Sequence, residues 1–198
     1  YFSKAKGCYV WDIENKRYLD FSLMGVGTNI LGYAFSKVDK EVIKTVKRSN
    51  MSSFNAPEEV YLAEKLIEMH PHFQMVRFAK TGGEANTIAI RIARASTNKD
   101  KIAICGYHGW HDWYLSANLN HDKNLDGHLL PGLEPNGVPR GLLGTTLPFD
   151  YNNIDQLERL IKSNHGDIAA IKMEVSRTGE PNNNFLKKVR DLATENNI

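Results

Sequence analysis

Cysteine is nearly absent: the 198 residues hold two, Cys8 and Cys105, far apart along the chain. That excludes a disulfide-rich scaffold and a CxxC zinc module, and it fits a reducing compartment, so a cytoplasmic protein is expected. An excess of either charge is lacking too. Lys+Arg number 25 and Asp+Glu 23, a net charge of +2, and the basic residues are scattered among acidic ones, which argues against nucleic acid as a partner. No apolar run is long enough for a signal peptide or a membrane-spanning helix, so no membrane role is expected. Two phosphate-binding signatures are missing. GxxxxGK[ST] occurs nowhere, and Gly25-Val26-Gly27-Thr28-Asn29-Ile30 lacks the last glycine of GxGxxG and follows a poor strand, so neither an NTP nor NAD is the expected ligand. Internal repeats and low-complexity tracts are absent as well. With 41% hydrophobic residues the chain can build a core, which excludes disorder, and its length suits one or two domains. It opens at Tyr1 without an initiator Met and stops in mid-pattern at Asn196-Asn197-Ile198, which leads us to expect a piece of a longer protein.

The segments that are present read as α/β. Tyr9 to Phe21 alternates loosely around Glu14-Asn15-Lys16, the pattern of a β-hairpin. After a Gly-rich loop, Val38, Val42, Ile43 and Val46 recur at helical spacing with Ser36 as the expected N-cap, and Val60, Ala63, Leu66 and Ile67 form a second stripe after Pro57. His70-Pro71-His72 closes that helix and is expected to meet its last carbonyls. Met75–Ala79 reads as a strand, Thr81-Gly82-Gly83 as a turn, and Ala85, Ile88, Ala89, Ile92 and Ala93 as the buried face of a helix. Lys101–Gly106 and Ala169–Met173 are further short apolar strands. Helices are expected around Ile154, Leu157, Leu160 and Ile161 and around Phe185, Val189, Leu192 and Ala193. Strands alternating with helices predict a mostly parallel sheet flanked by helices, with a small N-terminal β-hairpin segment. Asn118–Pro148 has no sustained period and is expected to be a functional loop, such as a lid, or a segment ordered by a partner.

Three features carry chemistry. Thr81-Gly82-Gly83-Glu84-Ala85 lies between an expected strand and an Ala-rich helix, where unpaired N–H groups and the positive dipole end suit an anion. The same residues match a capping box, Thr81-x-x-Glu84, which needs no ligand. Next, Tyr107-His108-Gly109-Trp110-His111-Asp112 follows a strand end, the place where parallel sheets bind ligands. Tyr107 there offers a flat face for a heteroaromatic ring, whereas Trp110 and Trp113 suit a role covering the sheet end. His108, His111 and Asp112 could alternatively ligate zinc, as in a zinc-dependent hydrolase. Last, Glu174 closes the strand Ala169–Met173, ahead of Val175-Ser176-Arg177-Thr178, and is expected to point into the same crevice or to be a solvated loop acid. A non-catalytic binding module, with the cradle a cap and the long loop a partner contact, is the remaining alternative.

Taken in order, Thr81-Gly82-Gly83-Glu84-Ala85, Tyr107-His108-Gly109 and Met173-Glu174 resemble the class III aminotransferases of fold type I, which use pyridoxal 5'-phosphate, and most of all the glutamate-1-semialdehyde 2,1-aminomutases. Gly7-Cys8-Tyr9-Val10-Trp11-Asp12 through Lys16–Phe21, Ile30–Ala34 and Ser53–Pro57 resemble further family segments. The resemblance implies a pyridoxal phosphate enzyme, an aminotransferase or aminomutase moving an amino group on a small amine or keto substrate. It implies that Thr81, Gly82 and Gly83 hold the cofactor phosphate, that Tyr107 stacks on its ring, that His108 lies beside it and that Glu174 borders the crevice. It also implies a homodimer, with parts of Asn118–Pro148 and Ser53–Pro57 near the subunit boundary. Residues 1–35 would be the N-terminal β segment of the small domain, and residues 36–198 the first part of the large α/β domain. The Schiff-base lysine and the Asp that pairs with the pyridinium nitrogen are expected downstream of Ile198, so this piece alone is expected to be inactive. The chain departs from the family pattern at Gly83, where Thr is usual, at Gly25-Val26 in place of Ser-Trp, and at Val175 in place of Pro.

Overall fold

A computed structural model describes residues 1–128, 131–176 and 179–198. Arg177 and Thr178, in the segment after Glu174, lie outside the described residues. The contacts divide the chain into two units, Tyr1–Val76 and Arg77–Ile198.

In the first unit, β1 (Phe2–Lys6), β2 (Tyr9–Asp12) and β3 (Arg17–Leu19) form an antiparallel meander. The expected hairpin is therefore a three-stranded sheet, its outer strand supplied by Phe2–Lys6, whose mixed Ser and Lys content gave no period-2 signal. Asp12 builds the turn: one carboxylate oxygen accepts from the N–H groups of Glu14 and Lys16, each at 2.9 Å, and the other from the Tyr18 hydroxyl at 2.8 Å. Helix α1 (Ser36–Lys47) follows, but Phe35 and not Ser36 is its N-cap, with no side-chain cap bond. Helix α2 (Pro57–Met69) starts on its proline, the position where a missing N–H costs nothing. Beyond it the rings of His70, His72 and Phe73 pack on one another, the closest pair at 4.2 Å.

The second unit holds α3 (Gly82–Thr97), β4 (Lys101–Cys105), α4 (Asp112–Leu115), β5 (Thr146–Pro148), α5 (Ile154–Ser163), β6 (Ile168–Met173) and α6 (Phe185–Glu195). Its sheet is parallel in the order β5-β4-β6, with Ile102 opposite both Thr146 and Ala170 and Cys105 opposite Met173. Strand β4 lies in the centre, and alternation along it serves two cores. Ile102 and Ile104 pack with Ile90, Trp113, Tyr114 and Leu125 on one face, while Ala103 and Cys105 pack with Phe149, Leu157, Ile161, Ile168, Phe185 and Val189 on the other.

Three expectations are corrected here. Met75–Ala79 is not a strand: no described strand pairs with it, and an extended segment becomes a strand only through a ladder partner. Helix α3 exists, but its phase is different, because Ile90 is buried while Ile92 is 58% exposed. Isoleucines at 88, 90 and 92 spread around the helix, so only the contact with the sheet decides which one faces in. Asn118–Pro148 is no bare lid. It buries Asn118, Leu125, His128 and Val138 and ends in β5. The Asn118 side chain replaces regular pairing there, accepting from the Leu125 N–H at 3.0 Å and donating to the Leu133 carbonyl at 2.6 Å.

Candidate functional site

Everything at the site hangs on the two segments that the sequence places before α3 and after β4. Thr81 is the N-cap of α3, and the capping box is complete: its hydroxyl accepts from the Glu84 N–H at 3.2 Å, and the Glu84 carboxylate accepts from Thr81 N–H at 3.0 Å and from Lys80 N–H at 2.9 Å. These bonds satisfy the donors of Lys80, Thr81 and Glu84 but not those of Gly82 and Gly83. Gly82 and Gly83, the first two helical residues, have no carbonyl one turn behind them inside the helix, and Gly82 is open enough that a Cβ there would meet nothing within 4 Å. Cap and anion cradle are thus compatible readings of the same five residues.

After β4 the chain turns through Gly106 at φ +104°, in the left-handed region where only glycine is unstrained. The Gly106 peptide is fixed from both sides, its N–H donating to His128 Nδ1 at 2.9 Å and its carbonyl accepting from the Tyr114 hydroxyl at 3.0 Å. That turn presents Tyr107, which is half-buried, packs its ring edge-on to Tyr114 and touches the first core cluster. Gly109 then passes so close to α3 that a Cβ on it would lie 3.2 Å from the Gly83 Cα. The two segments enclose a concavity of about 590 Å³ lined by Thr81, Gly82, Gly83, Tyr107, His108 and His111, with Glu84, Asn86, Gly109 and Trp110 around them.

His108 forms a wall of this concavity and is buried, 3% exposed. Its Nε2 meets the Cys105 carbonyl at 3.1 Å and its Nδ1 the Lys172 ammonium at 3.4 Å. Removal from water, reinforced by the nearby Lys172 charge, pushes its pKa down to about 4. His108 is therefore neutral at physiological pH, with Nε2–H donating to Cys105 and Nδ1 accepting from Lys172. Burial also lowers the Lys172 pKa, opposed by the carboxylate of Glu174. Glu174 donates its backbone N–H to the Cys105 carbonyl at 3.1 Å. Its carboxylate lies against Gly106, where a Cβ would come within 2.6 Å of it. It stands beside the turn that presents Tyr107 but is not among the residues lining the concavity.

The class-III aminotransferase family model matches residues 1–198. The chain belongs to the class-III aminotransferases. It is 34% identical to a 3-aminobutyryl-CoA aminotransferase of Cloacimonas acidaminovorans, over 98% of this chain and 44% of that protein. It is 32% identical to a glutamate-1-semialdehyde 2,1-aminomutase of Methanococcoides burtonii, over 100% of this chain and 47% of that protein. Among solved structures, an omega-transaminase from Sphaerobacter thermophilus superposes with a TM-score of 0.85 at 27% identity, covering 100% of this chain and 47% of that one. The chain therefore spans less than half the length of these relatives, and the parallel sheet with its antiparallel N-terminal segment is the fold type expected from sequence.

For this class-III chain the zinc alternative finds no support. Among the described residues no group of three or more His, Cys, Asp or Glu could hold a metal ion. His108 turns inward to Cys105 and Lys172, while His111 Nδ1 meets the Thr87 hydroxyl at 2.6 Å. Sequence reasoning passed over several residues that shape the site. Asn86 donates to the His108 carbonyl at 3.1 Å and so ties α3 to the Tyr107 segment. Thr87 joins Gly83, His111 and Trp113, and Lys172 fixes His108. One signal was available for the first two: adjacent Asn and Thr inside an Ala- and Ile-rich helix are poor helix formers, retained there when their side chains bond to something.

Proposed function

We propose that the full-length protein is a pyridoxal 5'-phosphate-dependent aminotransferase or aminomutase acting on a small amine or keto compound. What supports this reading above all is that the helix start at Gly82 and Gly83, open at Gly82, lines one concavity together with Tyr107, in a chain of class-III aminotransferase sequence. The residues fit the cofactor. The first-turn N–H groups of α3, with the Thr81 hydroxyl at the rim, suit a phosphate, and the half-buried Tyr107 suits a flat heteroaromatic ring. When bound, the cofactor supplies an electron sink for negative charge on the carbon that carries the amino group. The chain's own residues would hold and orient it: Gly82 and Gly83 bind the phosphate, Tyr107 covers one ring face, and neutral His108 stands beside it without adding charge. Glu174 borders the crevice from the neighbouring strand end. The covalent lysine and the acidic partner of the ring nitrogen belong to sequence after Ile198.

On the same reading residues 1–35 belong to a small domain and residues 36–198 to the first part of the cofactor domain. The working unit is a homodimer with parts of Asn118–Pro148 and Ser53–Pro57 near its boundary. The cytoplasm is the proposed location, in keeping with a content of only two cysteines, Cys8 exposed and Cys105 buried. No helix among the described residues is long and apolar enough to cross a membrane.

The test is a titration of full-length protein with pyridoxal 5'-phosphate, followed by absorbance, for wild type, Tyr107→Phe and Tyr107→Ala. Phe keeps the ring and should retain most affinity. Ala loses the stacking face and should bind about tenfold more weakly, with a shifted spectrum of the bound cofactor. Equal affinity and identical spectra in wild type and Tyr107→Ala overturn the assignment of Tyr107. A wild-type protein that stays colourless with the cofactor yet carries stoichiometric zinc overturns the whole reading.

A further inference from the structure

We propose that His111 is a binding residue for the cofactor phosphate, donating from Nε2 beside Gly83, with Thr87 setting the orientation and tautomer of its ring; this rests on the cofactor reading above. The His111 ring occupies the space in front of Gly83. A Cβ built on Gly83 would lie 3.1 Å from His111 Nε2 and 3.4 Å from Cδ2. A side chain at position 83 and the ring of His111 thus compete for one volume, and the sequence fills it from His111. Nε2 is the nitrogen turned toward the start of α3, and His111 and Gly83 line the same concavity.

The ring is held in that attitude by a fixed network. Its Nδ1 is 2.6 Å from Thr87 Oγ1, Trp113 Nε1–H donates to the same oxygen at 3.1 Å, and Thr87 can donate to the Gly83 carbonyl at 2.9 Å. Trp110 packs edge-on at 4.8 Å between ring centroids. Thr87 has one proton for two acceptors, Gly83 O and His111 Nδ1. When it goes to His111, the neutral ring carries its own hydrogen on Nε2 and is a donor toward Gly83. When it goes to Gly83, Nδ1–H donates to Thr87 and Nε2 presents a lone pair. A phosphate at the first turn of α3 selects the former arrangement, because an anion's oxygens accept and do not donate. The carbonyl of Gly83 keeps its ordinary helical acceptor role in both cases. His111 therefore adds a side-chain donor to backbone N–H groups that glycines alone would present, on a ring whose position is fixed before the ligand arrives.

The experiment uses full-length apoprotein titrated with pyridoxal 5'-phosphate and, separately, with pyridoxal, which lacks the phosphate. The phosphorus NMR shift of bound cofactor is recorded alongside. His111→Ala should weaken pyridoxal 5'-phosphate binding about tenfold, the loss of a hydrogen bond to a charged group, leave pyridoxal binding unchanged and move the phosphorus signal. His111→Gln, which keeps an amide donor on a side chain of similar reach, should recover most of the affinity. Equal losses for both ligands in His111→Ala, or no loss for either, overturn the assignment while the cofactor reading stands. A wild-type apoprotein that binds the two ligands equally well removes the phosphate cradle itself, and with it the reading on which the assignment depends. Should the Ala variant be unfolded by circular dichroism, His111→Phe, which keeps a ring in that space but has no donor, decides: a tenfold loss for pyridoxal 5'-phosphate alone with a moved phosphorus signal supports the donor, and equal losses for both ligands or none for either refute it.

Discussion

The two units of this chain invest the same kinds of residue in different ways. In Arg77–Ile198 the side chains of Ile102, Ala103 and Ile104 are fully excluded from water, and two core clusters sandwich the central strand. In Tyr1–Val76 not one described residue is buried. The apolar stripe of α1 is regular, yet Val38, Val42, Ile43 and Val46 are 49 to 59% exposed. Helical period alone therefore shows that a face is apolar, and only a partner surface converts that face into stability. The site follows the same rule. Its walls are rigid because Tyr107, His108 and the Gly106 peptide are anchored in the buried unit, through Tyr114, His128, Cys105 and Lys172.

Truncating one isoleucine and one valine tests that difference most directly. Ile104→Ala should destabilise the chain by about 2–5 kcal/mol, the range for emptying a packed core site. Val42→Ala should stay within about 0.5 kcal/mol, since Val42 is 55% exposed. Urea unfolding of both variants of the 198-residue chain measures this, and comparable losses would show that the first unit has a core of its own.

A smaller effect, in pH dependence, should appear at His108. Its folded pKa of about 4 lies below the ordinary value of 6.5, so the unfolded chain takes up a proton that the folded one refuses. The folded state is thus unaffected by this group above about pH 6.5 and loses stability as pH falls from there toward 4. The loss should reach about 2–3 kcal/mol near pH 4, and His108→Gln should flatten that part of the curve. A wild-type profile that stays level between pH 6.5 and 4 would mean that His108 is not held neutral by its surroundings.

Smallest of all is the contrast between the two cradle glycines. Alanine is a better helix former, and position 82 has free space, so Gly82→Ala should raise stability by about 0.5–1 kcal/mol. Gly83→Ala should gain less or lose, because its Cβ would press on the His111 ring. Equal gains in thermal unfolding would show that His111 yields easily, which would loosen the rigid side of the comparison.

Much of this was legible beforehand, for stated reasons. Strand β4 announced itself as an apolar run, α1, α2, α5 and α6 by their period, and the start of α3 by Thr81 and Glu84, because each signal is local and the structure keeps it. Membership of the class-III aminotransferases was legible in the motifs because they occur in one order along the whole chain. What local sequence could not decide was phase and partnership. Ile88, Ile90 and Ile92 are equally apolar, and the sheet alone selects Ile90. Met75–Ala79 has strand composition without a described strand beside it. Thr146–Pro148 pairs with β4 although three residues carry no readable alternation.

The site divides along the same line. The cap on α3, the glycines at its first turn and the tyrosine after a strand are local features, because capping and turn chemistry act over three or four residues. Packing alone brings His111 over Gly83, sets Thr87 between Trp113 and His111, and holds His108 neutral by burying it, with Lys172 beside it. Those relations join residues some twenty to sixty positions apart, and hydrogen bonds of that span exist only once the packed strands and helices have brought their ends together.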